Sequence, residues 1–503
     1  MFLKRKQIFF NNINYIKCIR QLSGFKRRHI GINKDYPLML EKCNDNNIQK
    51  LVSKTININN FKPIKTNLKD GLSEVECINK LDTIMKENID NKCYIGMGFH
   101  NTYLPYPIKR QVIENPKWYT AYTPYQAEIS QGRLEAQYNY QTVIKELTGL
   151  PIANSSLLDE ASAAGEVFNM SYNYKNNTKK NKYLVSETIH PQILGVLQTK
   201  AEIENIELIF MNLDNLDIYD LDDVFGIMFQ YPDTYGNISI PIDDLHIIKE
   251  MYPSLVISCS ADILALNKLI SPGELGVDIA FGTAQRLGVP LFYGGPHPAY
   301  LSCNKNFIRL IPGRIIGKSK DSLGEECYRL ALQTREQHIR REKATSNICT
   351  SQALLANVAG LYAIYHGKNG MNEIFNNIHI RTKLLDYYLN ELGIKNKNEI
   401  YFDTLRLEFP LIEEVYDRLL ENNIIVRKLE NEICINLDET TTDEDIFELL
   451  KVIMDVYNNH NMLDSKLNIN LSGFSIEQIK NRKQIIETEY FNTYFNQYLR
   501  NDE

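Results

Sequence analysis

One stretch, from Val256 to His297, carries residue types from which a reactive site could be built. Asp262 follows an apolar, β-rich run, Leu255-Val256-Ile257-Ser258-Cys259-Ser260-Ala261. A carboxylate delivered at the end of a buried strand can keep a heterocyclic nitrogen protonated, so that the ring accepts electrons. The chemistry that goes with such a carboxylate needs an amine further along the chain, to hold an aldehyde as a Schiff base. The residue at that place is Gln285, in Ala284-Gln285-Arg286-Leu287-Gly288-Val289-Pro290, and the nearest lysines, Lys268 and Lys305, lie well to either side. A glutamine amide forms no imine. A second candidate is the string Asn154 to Glu166, which opens a helix whose free N–H groups and dipole could receive a phosphate. Asp159 and Glu160 fill that first turn instead. Each carboxylate repels a phosphate by about 1 kcal/mol at about 4 Å in water and by several times more when shielded from it. His190, in Glu187-Thr188-Ile189-His190-Pro191-Gln192, comes just after the expected strand Tyr183 to Ser186.

The elements that must position these groups alternate. Strands are expected at 183–186, 207–211, 226–231, 255–259 and 277–281, with helices between them, which predicts a mostly parallel sheet covered on both faces. A helix from Gln131 to about Leu147 is ended by Gly149 and Pro151, and a long apolar helix from Ala353 is stopped by His366-Gly367. Beyond Asn376 the pattern becomes helix (378–391), strand (401–408), helix (412–422), two short strands (424–427 and 432–436) and a helix after the cap-like Thr442, which is a small α+β domain. The resulting division is 27–115 as an N-terminal helical arm, 116–366 as the large domain, 367–460 as the small domain and 461–503 as a polar tail.

Strand, acid, loop, strand and the glycine-rich turn Tyr293-Gly294-Gly295-Pro296-His297 form the layout of fold type I pyridoxal-phosphate enzymes. The chain resembles, more narrowly, the N-terminal half of the glycine cleavage system P-protein, glycine dehydrogenase (decarboxylating). The residues that carry the match are Arg27-Arg28-His29-Ile30-Gly31, Tyr94-Ile95-Gly96-Met97-Gly98, Tyr122-Thr123-Pro124-Tyr125-Gln126, Ser156-Leu157-Leu158-Asp159-Glu160, Pro272-Gly273-Glu274 and the long run from Gln333 to Thr350. So many strings in one order are far more specific than a single short motif. The resemblance implies an α/β, fold type I pyridoxal-phosphate transferase-like fold, with a large, mostly parallel sheet domain and a smaller C-terminal α+β domain. It also implies an enzyme of two homologous halves, of which only the C-terminal one carries the cofactor lysine, so a missing lysine is what it predicts here. No residue of this chain is then catalytic. Pyridoxal phosphate is expected on the lysine-bearing C-terminal half and not covalently on this chain, and Asp262 and His190 are vestiges of a cofactor site. Tyr122, Thr123 and Tyr125 are candidates either for lining a site shared between subunits or for packing at their interface.

The activity implied is glycine decarboxylation with transfer of the aminomethyl group to the lipoyl group of the H-protein. Arg314, Arg335, His338, Arg340, Arg341 and Lys343 offer a contact surface for that protein or for the catalytic half's cofactor phosphate. The alternative is internal ion pairing with Glu325, Glu326, Glu336 and Glu342, which adds little stability. Two other readings stand beside this one: a scaffold or regulatory pseudoenzyme without decarboxylase activity, and a shortened reading of a fused enzyme.

Composition sets the frame. With 503 residues, 44% of them hydrophobic, and no run of 18 apolar residues, the chain can bury a large core and offers no membrane-spanning helix. Residues 1–34 hold nine Lys or Arg and no acid, with apolar residues interspersed, so residues 1–26 read as a mitochondrial transit peptide and the location as the matrix. Its removal makes a chain of net charge −6 still more acidic, which argues against nucleic-acid binding. The nine cysteines are scattered, with no CxxC and no Cys/His pair at metal-ligand spacing, so reduced thiols and no metal are expected; Cys349 is the one to watch, though more as a small buried residue than as a nucleophile.

Overall fold

The computed structural model describes residues 35–56, 67, 71–120, 124–175, 177–332, 337–344, 346, 348, 351–460 and 475–490. The chain divides into a unit that ends at Asn88 and a larger one from Ile89. The first contains helices α1 (Tyr36–Lys42), α2 (Ile48–Thr55) and α3 (Glu74–Met85). Helix α3 begins in a capping box: the Ser73 hydroxyl accepts from the Glu76 N–H while the Glu76 carboxylate accepts from the Ser73 N–H.

In the larger unit the main sheet has seven strands in the order β2-β8-β7-β6-β5-β3-β4. They are β2 (Ile152–Ala153), β3 (Lys182–Ser186), β4 (Glu207–Met211), β5 (Val224–Tyr231), β6 (Val256–Ala261), β7 (Ile279–Thr283) and β8 (Ala299–Cys303). Pairings from β4 through β3, β5 and β6 to β7 are parallel; β8 alone runs against them, and β2, antiparallel to β8, returns to their direction. All eight residues of β5 are buried, and consecutive side chains enter different cores. That is why the strand reads as a continuous apolar run rather than an alternating one. One face packs on α4 (Gln131–Thr148), α7 (Ile242–Met251) and the first part of α8 (Ala353–Glu391), through Tyr140, Ile144, Leu245, Val358 and Tyr362. The other packs on α5 (Glu160–Tyr172) and α6 (Pro191–Glu204), through Ala164, Phe168, Ile193 and Leu197.

Glycine placement explains part of the sequence. Gly149 ends α4 in the left-handed region at φ 67, and a Cβ on Gly273 would sit 2.3 Å from the Gly149 carbonyl oxygen. The Pro272-Gly273-Glu274 string thus closes a turn against the end of α4, held by the Gly273 N–H on the Thr148 carbonyl.

The expected helix from Ala353 bends where the sequence places a stop, at Gly367 (φ 62), but does not end: it resumes and continues to Glu391, joining the main core to a second one. That second core underlies a four-stranded sheet of order β1-β12-β13-β11, from β1 (Lys92–Tyr94), β11 (Thr404–Glu408), β12 (Ile424–Lys428) and β13 (Glu432–Asn436). It is covered by α9 (Ile412–Glu421), α10 (Asp443–Asn459) and α11 (Ile476–Tyr490). Strand β1 corrects the expectation of a purely helical arm before residue 115, since it pairs in parallel with β12. A hairpin of β9 (Ile315–Lys320) and β10 (Glu326–Ala331), absent from the sequence reading, is antiparallel and fastened to α4 by Gln131 and Gln141. No helix among the described residues is long and apolar enough to cross a membrane. Among the described residues the cysteines form no disulfide. Residues 1–34 and 121–123, hence the expected transit peptide, Tyr122 and Thr123, lie outside the described residues, as do Arg335, Cys349, the side chains of His338 and Lys343, and much of 461–503.

Candidate functional site

The parallel strands β3, β5, β6 and β7 end at one edge of the sheet, where ligands bind in open α/β folds. Asp262 follows β6 there, as expected. Its N–H donates to the Tyr231 carbonyl, and its Oδ1 accepts from the N–H of Leu264 at 2.9 Å. Its Oδ2 accepts from Arg286 Nη1. Burial pushes the Asp262 carboxyl up, but the adjacent guanidinium and these donors outweigh it, so the group sits below the usual carboxylate range and is charged.

Gln285 lies just past β7 and is fully buried. Its amide is used in both directions. Nε2 donates to the His100 carbonyl at 2.6 Å and to the Val289 carbonyl at 2.7 Å, while Oε1 accepts from the His100 N–H at 3.1 Å. The segment from Gly96 to Tyr103, which leaves β1, therefore crosses over the site and is held down by Gln285. Further along, the Asn101 N–H donates to Asp438 and Thr102 Oγ1 to Glu439.

Arg286, one residue on, is 3% exposed. Its Nη1 bridges Asp262 and Asp403, at 2.6 Å from the latter, and its guanidinium lies 5.3 Å from the centre of the Phe402 ring. Burial raises the Asp403 carboxyl above its ordinary value despite the shared cation. His100 is buried with Nδ1 3.0 Å from Asn436 Oδ1; burial and Arg286 lower it to about 4, so it is neutral at pH 7. His190 precedes α6, and its ring Nδ1 lies 2.9 Å from Thr234 Oγ1 while its N–H donates to Gln230. Burial and Arg427 bring it to about 3. Both imidazoles are fixed by protein partners.

Asp159 and Glu160 act differently from the two first-turn charges expected. Asp159 is the N-cap of α5, its Oδ1 accepting from the Ser162 N–H at 2.7 Å. Glu160 turns inward under the sheet edge, where Oε1 accepts from Ser260 Oγ at 2.6 Å, and burial raises its carboxyl to about 7. The capping N–H is thus already taken, and the carboxylate facing the site is half protonated near neutrality. Tyr125 is half exposed and its hydroxyl accepts from Arg314 Nη2 at 3.1 Å, with the guanidinium 5.4 Å from the ring centre. On the β9–β10 hairpin Lys318 pairs with Glu326 at 2.9 Å.

What these residues enclose is a cavity of about 40 Å³, lined by Gly98, His100, Glu160, His190, Asp262 and Arg286, among others. That is room for about three waters. The donor set does not fit pyridoxal phosphate. There is no amine for its aldehyde, the carboxylate for its ring nitrogen already holds a guanidinium, and the helix end for its phosphate is capped by a carboxylate. His100, Asp262 and Asp403 also cluster closely enough to suggest a metal, but Arg286 already supplies the cation between the two acids. His100, Arg286, Asp403 and Asn436 were not found from sequence. Arg286 had a signal, since a charge inside an otherwise apolar run after a buried strand demands a partner. Nothing local connects Asp403 or Asn436 to it.

The profile of the family described as "Glycine cleavage system P-protein" matches residues 27–453. The chain is 45% identical over 441 residues to "Glycine dehydrogenase (decarboxylating)" of Nostoc punctiforme, covering 86% of this chain and 44% of that protein. It is 43% identical over 432 residues to "Glycine dehydrogenase (decarboxylating), mitochondrial" of Mus musculus, covering 85% of this chain and 41% of the relative. The chain thus spans less than half the length of these relatives. Among solved structures, a glycine decarboxylase (P-protein) in inhibitor-bound form matches with TM-score 0.75 and 29% identity, over 84% of this chain and 98% of that one. A Thermus thermophilus aspartate aminotransferase shares the fold alone, with TM-score 0.51 and 11% identity over 73% of this chain and 99% of that one. With the fold type I pyridoxal-phosphate transferase architecture in place and this profile running through nearly all of both sheets, the chain belongs to the glycine cleavage system P-protein family.

Proposed function

We propose that this chain is the lysine-less half of a glycine decarboxylase, and that it completes a site whose chemistry lies on a lysine-bearing half. In this reading, the other half holds pyridoxal phosphate, decarboxylates glycine and passes the aminomethyl group to the lipoyl group of H-protein. This chain supplies a matching face and part of the wall, with Tyr122, Thr123 and Tyr125 as candidates for the shared surface. Arg314 and the basic residues of 335–343 are a contact surface for H-protein or for the other half's cofactor phosphate. The setting is the mitochondrial matrix, in keeping with the basic, acid-free N-terminus and with the mitochondrial relative in Mus musculus.

The observation that supports this reading best is Gln285: the residue expected at the lysine position is buried, with both amide donors and the amide oxygen engaged by the backbone of His100 and Val289. The test is glycine/bicarbonate exchange with added pyridoxal phosphate and H-protein, first with this chain alone and then mixed with a lysine-bearing half. Activity in the mixture only is the expected result. Exchange by this chain alone would overturn the reading, and no exchange in the mixture would leave the scaffold alternative in its place.

A further inference from the structure

We propose that Arg286 is the built-in occupant of the former ligand seat, a permanent guanidinium cation that latches the small domain onto the large one. The inference deepens the preceding reading, because it asks what fills a site that holds no cofactor. Three observations carry it. First, the partners of Arg286 come from different domains: Asp262 follows β6 of the main sheet, and Asp403 precedes β11 of the second sheet. Second, the cation is placed where a heterocyclic cation would be, on the strand-end carboxylate, and lies against the Phe402 ring at 5.3 Å. A flat, delocalised guanidinium is the side chain that can replace a protonated ring in both respects. Third, its Nη2 is buried with no hydrogen-bond partner among the described residues, and Arg286 lines the cavity of about 40 Å³. The chain has thus spent one corner of the guanidinium on the latch and turned another to the remaining space.

Two domains can in general be closed by a ligand that binds between them. Here the ion pair is covalently part of the chain, so the closed arrangement is independent of any small molecule. Other contacts cross the same boundary: Arg427 donates to the Thr234 carbonyl, and Asn398 Nδ2 to the Tyr235 carbonyl at 2.7 Å. Arg427 is only partly buried and Asn398 is 8% exposed, whereas Arg286 and Asp403 are 3% and 4% exposed. The ligand class that the empty latch would accept is a planar monocation of guanidinium size.

The experiment removes the cation and offers it back. Arg286→Ala in the full chain is expected to lower Tm by about 5 °C or more, because two buried carboxylates then face each other unpaired. Guanidinium chloride at about 20 mM is expected to raise that Tm in a saturable way, as a ligand of the folded state does, while sodium chloride at equal ionic strength does not. The wild-type protein shows no such rise. An unchanged Tm in the variant, or equal recovery in the two salts, would overturn the latch. Should Arg286→Ala fail to fold, Asp403→Asn keeps the cation and one carboxylate. It is expected to speed amide hydrogen exchange in residues 402–408 relative to β5, and unchanged exchange there would equally overturn the proposal. Every readout uses this chain alone, without glycine, cofactor or partner. The latch can therefore fail while the mixed-subunit assay succeeds, and the reverse.

Discussion

Lysine placed at position 285 is expected to damage this protein rather than repair it. The side chain of Gln285 is at once a donor to two carbonyls and the acceptor for the buried His100 N–H. An ammonium group can keep the donations but accepts nothing, so that N–H is left unsatisfied, at about 1–3 kcal/mol. The ammonium must also sit at a position that is fully buried, which adds a desolvation penalty of several kcal/mol unless the lysine gives up its proton. A total of about 4 kcal/mol corresponds to a fall in Tm of about 5 °C for a unit of this size. Gln285→Met, which removes the same bonds without adding charge, separates the two contributions and should fall less. The assay is a calorimetric melt of the three proteins, followed by the visible absorbance of a pyridoxal imine after addition of pyridoxal phosphate. A Gln285→Lys protein that melts within about 1 °C of wild type, or that forms the imine and exchanges glycine unaided, would refute the reasoning.

Other outcomes follow from the same contacts. Glu160 has a folded pKa of about 7 against an ordinary 4.5, so the folded state keeps a proton that the unfolded chain releases. Its contribution is complete below about pH 4.5 and is lost as pH rises through 7, amounting to about 3 kcal/mol. Glu160→Gln, which can still accept from Ser260, should flatten that part of a stability-against-pH curve, and identical slopes for the two proteins would contradict it. Gly273→Ala drives a methyl into the backbone of Gly149 and is expected to cost about 2–3 kcal/mol in a denaturant titration; an unchanged midpoint would mean the turn simply shifts aside. Thr442→Ala removes the capping box in which Thr442 and Asp445 satisfy each other's N–H groups, with an expected loss of about 1 kcal/mol that a parallel Asp445→Asn variant should only partly reproduce.

Much of the fold was legible because its strands and helices carry their own periodicity. The run ending in Asp262 and the cap at Thr442 were each read within a residue or two of their observed places, since burial on both faces and capping are local signals. Strand β1 was not, because three residues, Lys92 to Tyr94, acquire a partner only through β12, far along the chain. The β9–β10 hairpin carries charged and exposed residues on a strand pair that packs mainly on α4, which blurs its alternation. At the candidate site, the residues on strand ends were visible and the groups brought in by the small domain were not. Asp403 and Asn436 take their meaning from a cation that tertiary structure alone places beside them. The capping role of Asp159 differed from expectation for a similar reason: spacing located the helix start, while only the backbone geometry decided which acid caps and which turns in.

The pairing of Lys92 with Ile424 also bears on how the chain is made. The second sheet joins β1 at residues 92–94 to β12 at residues 424–428, so β1 has no sheet neighbour until the intervening chain of more than 300 residues has been made. At about 5–20 residues per second, the early strand waits on the order of tens of seconds for its neighbour. Through that interval Ile424's future partner is an unpaired segment carrying an exposed Cys93, and protection against mispairing must come from outside the sheet. A fragment begun after Tyr94 would make the vulnerability permanent, presenting β12 as a bare edge for another copy to join.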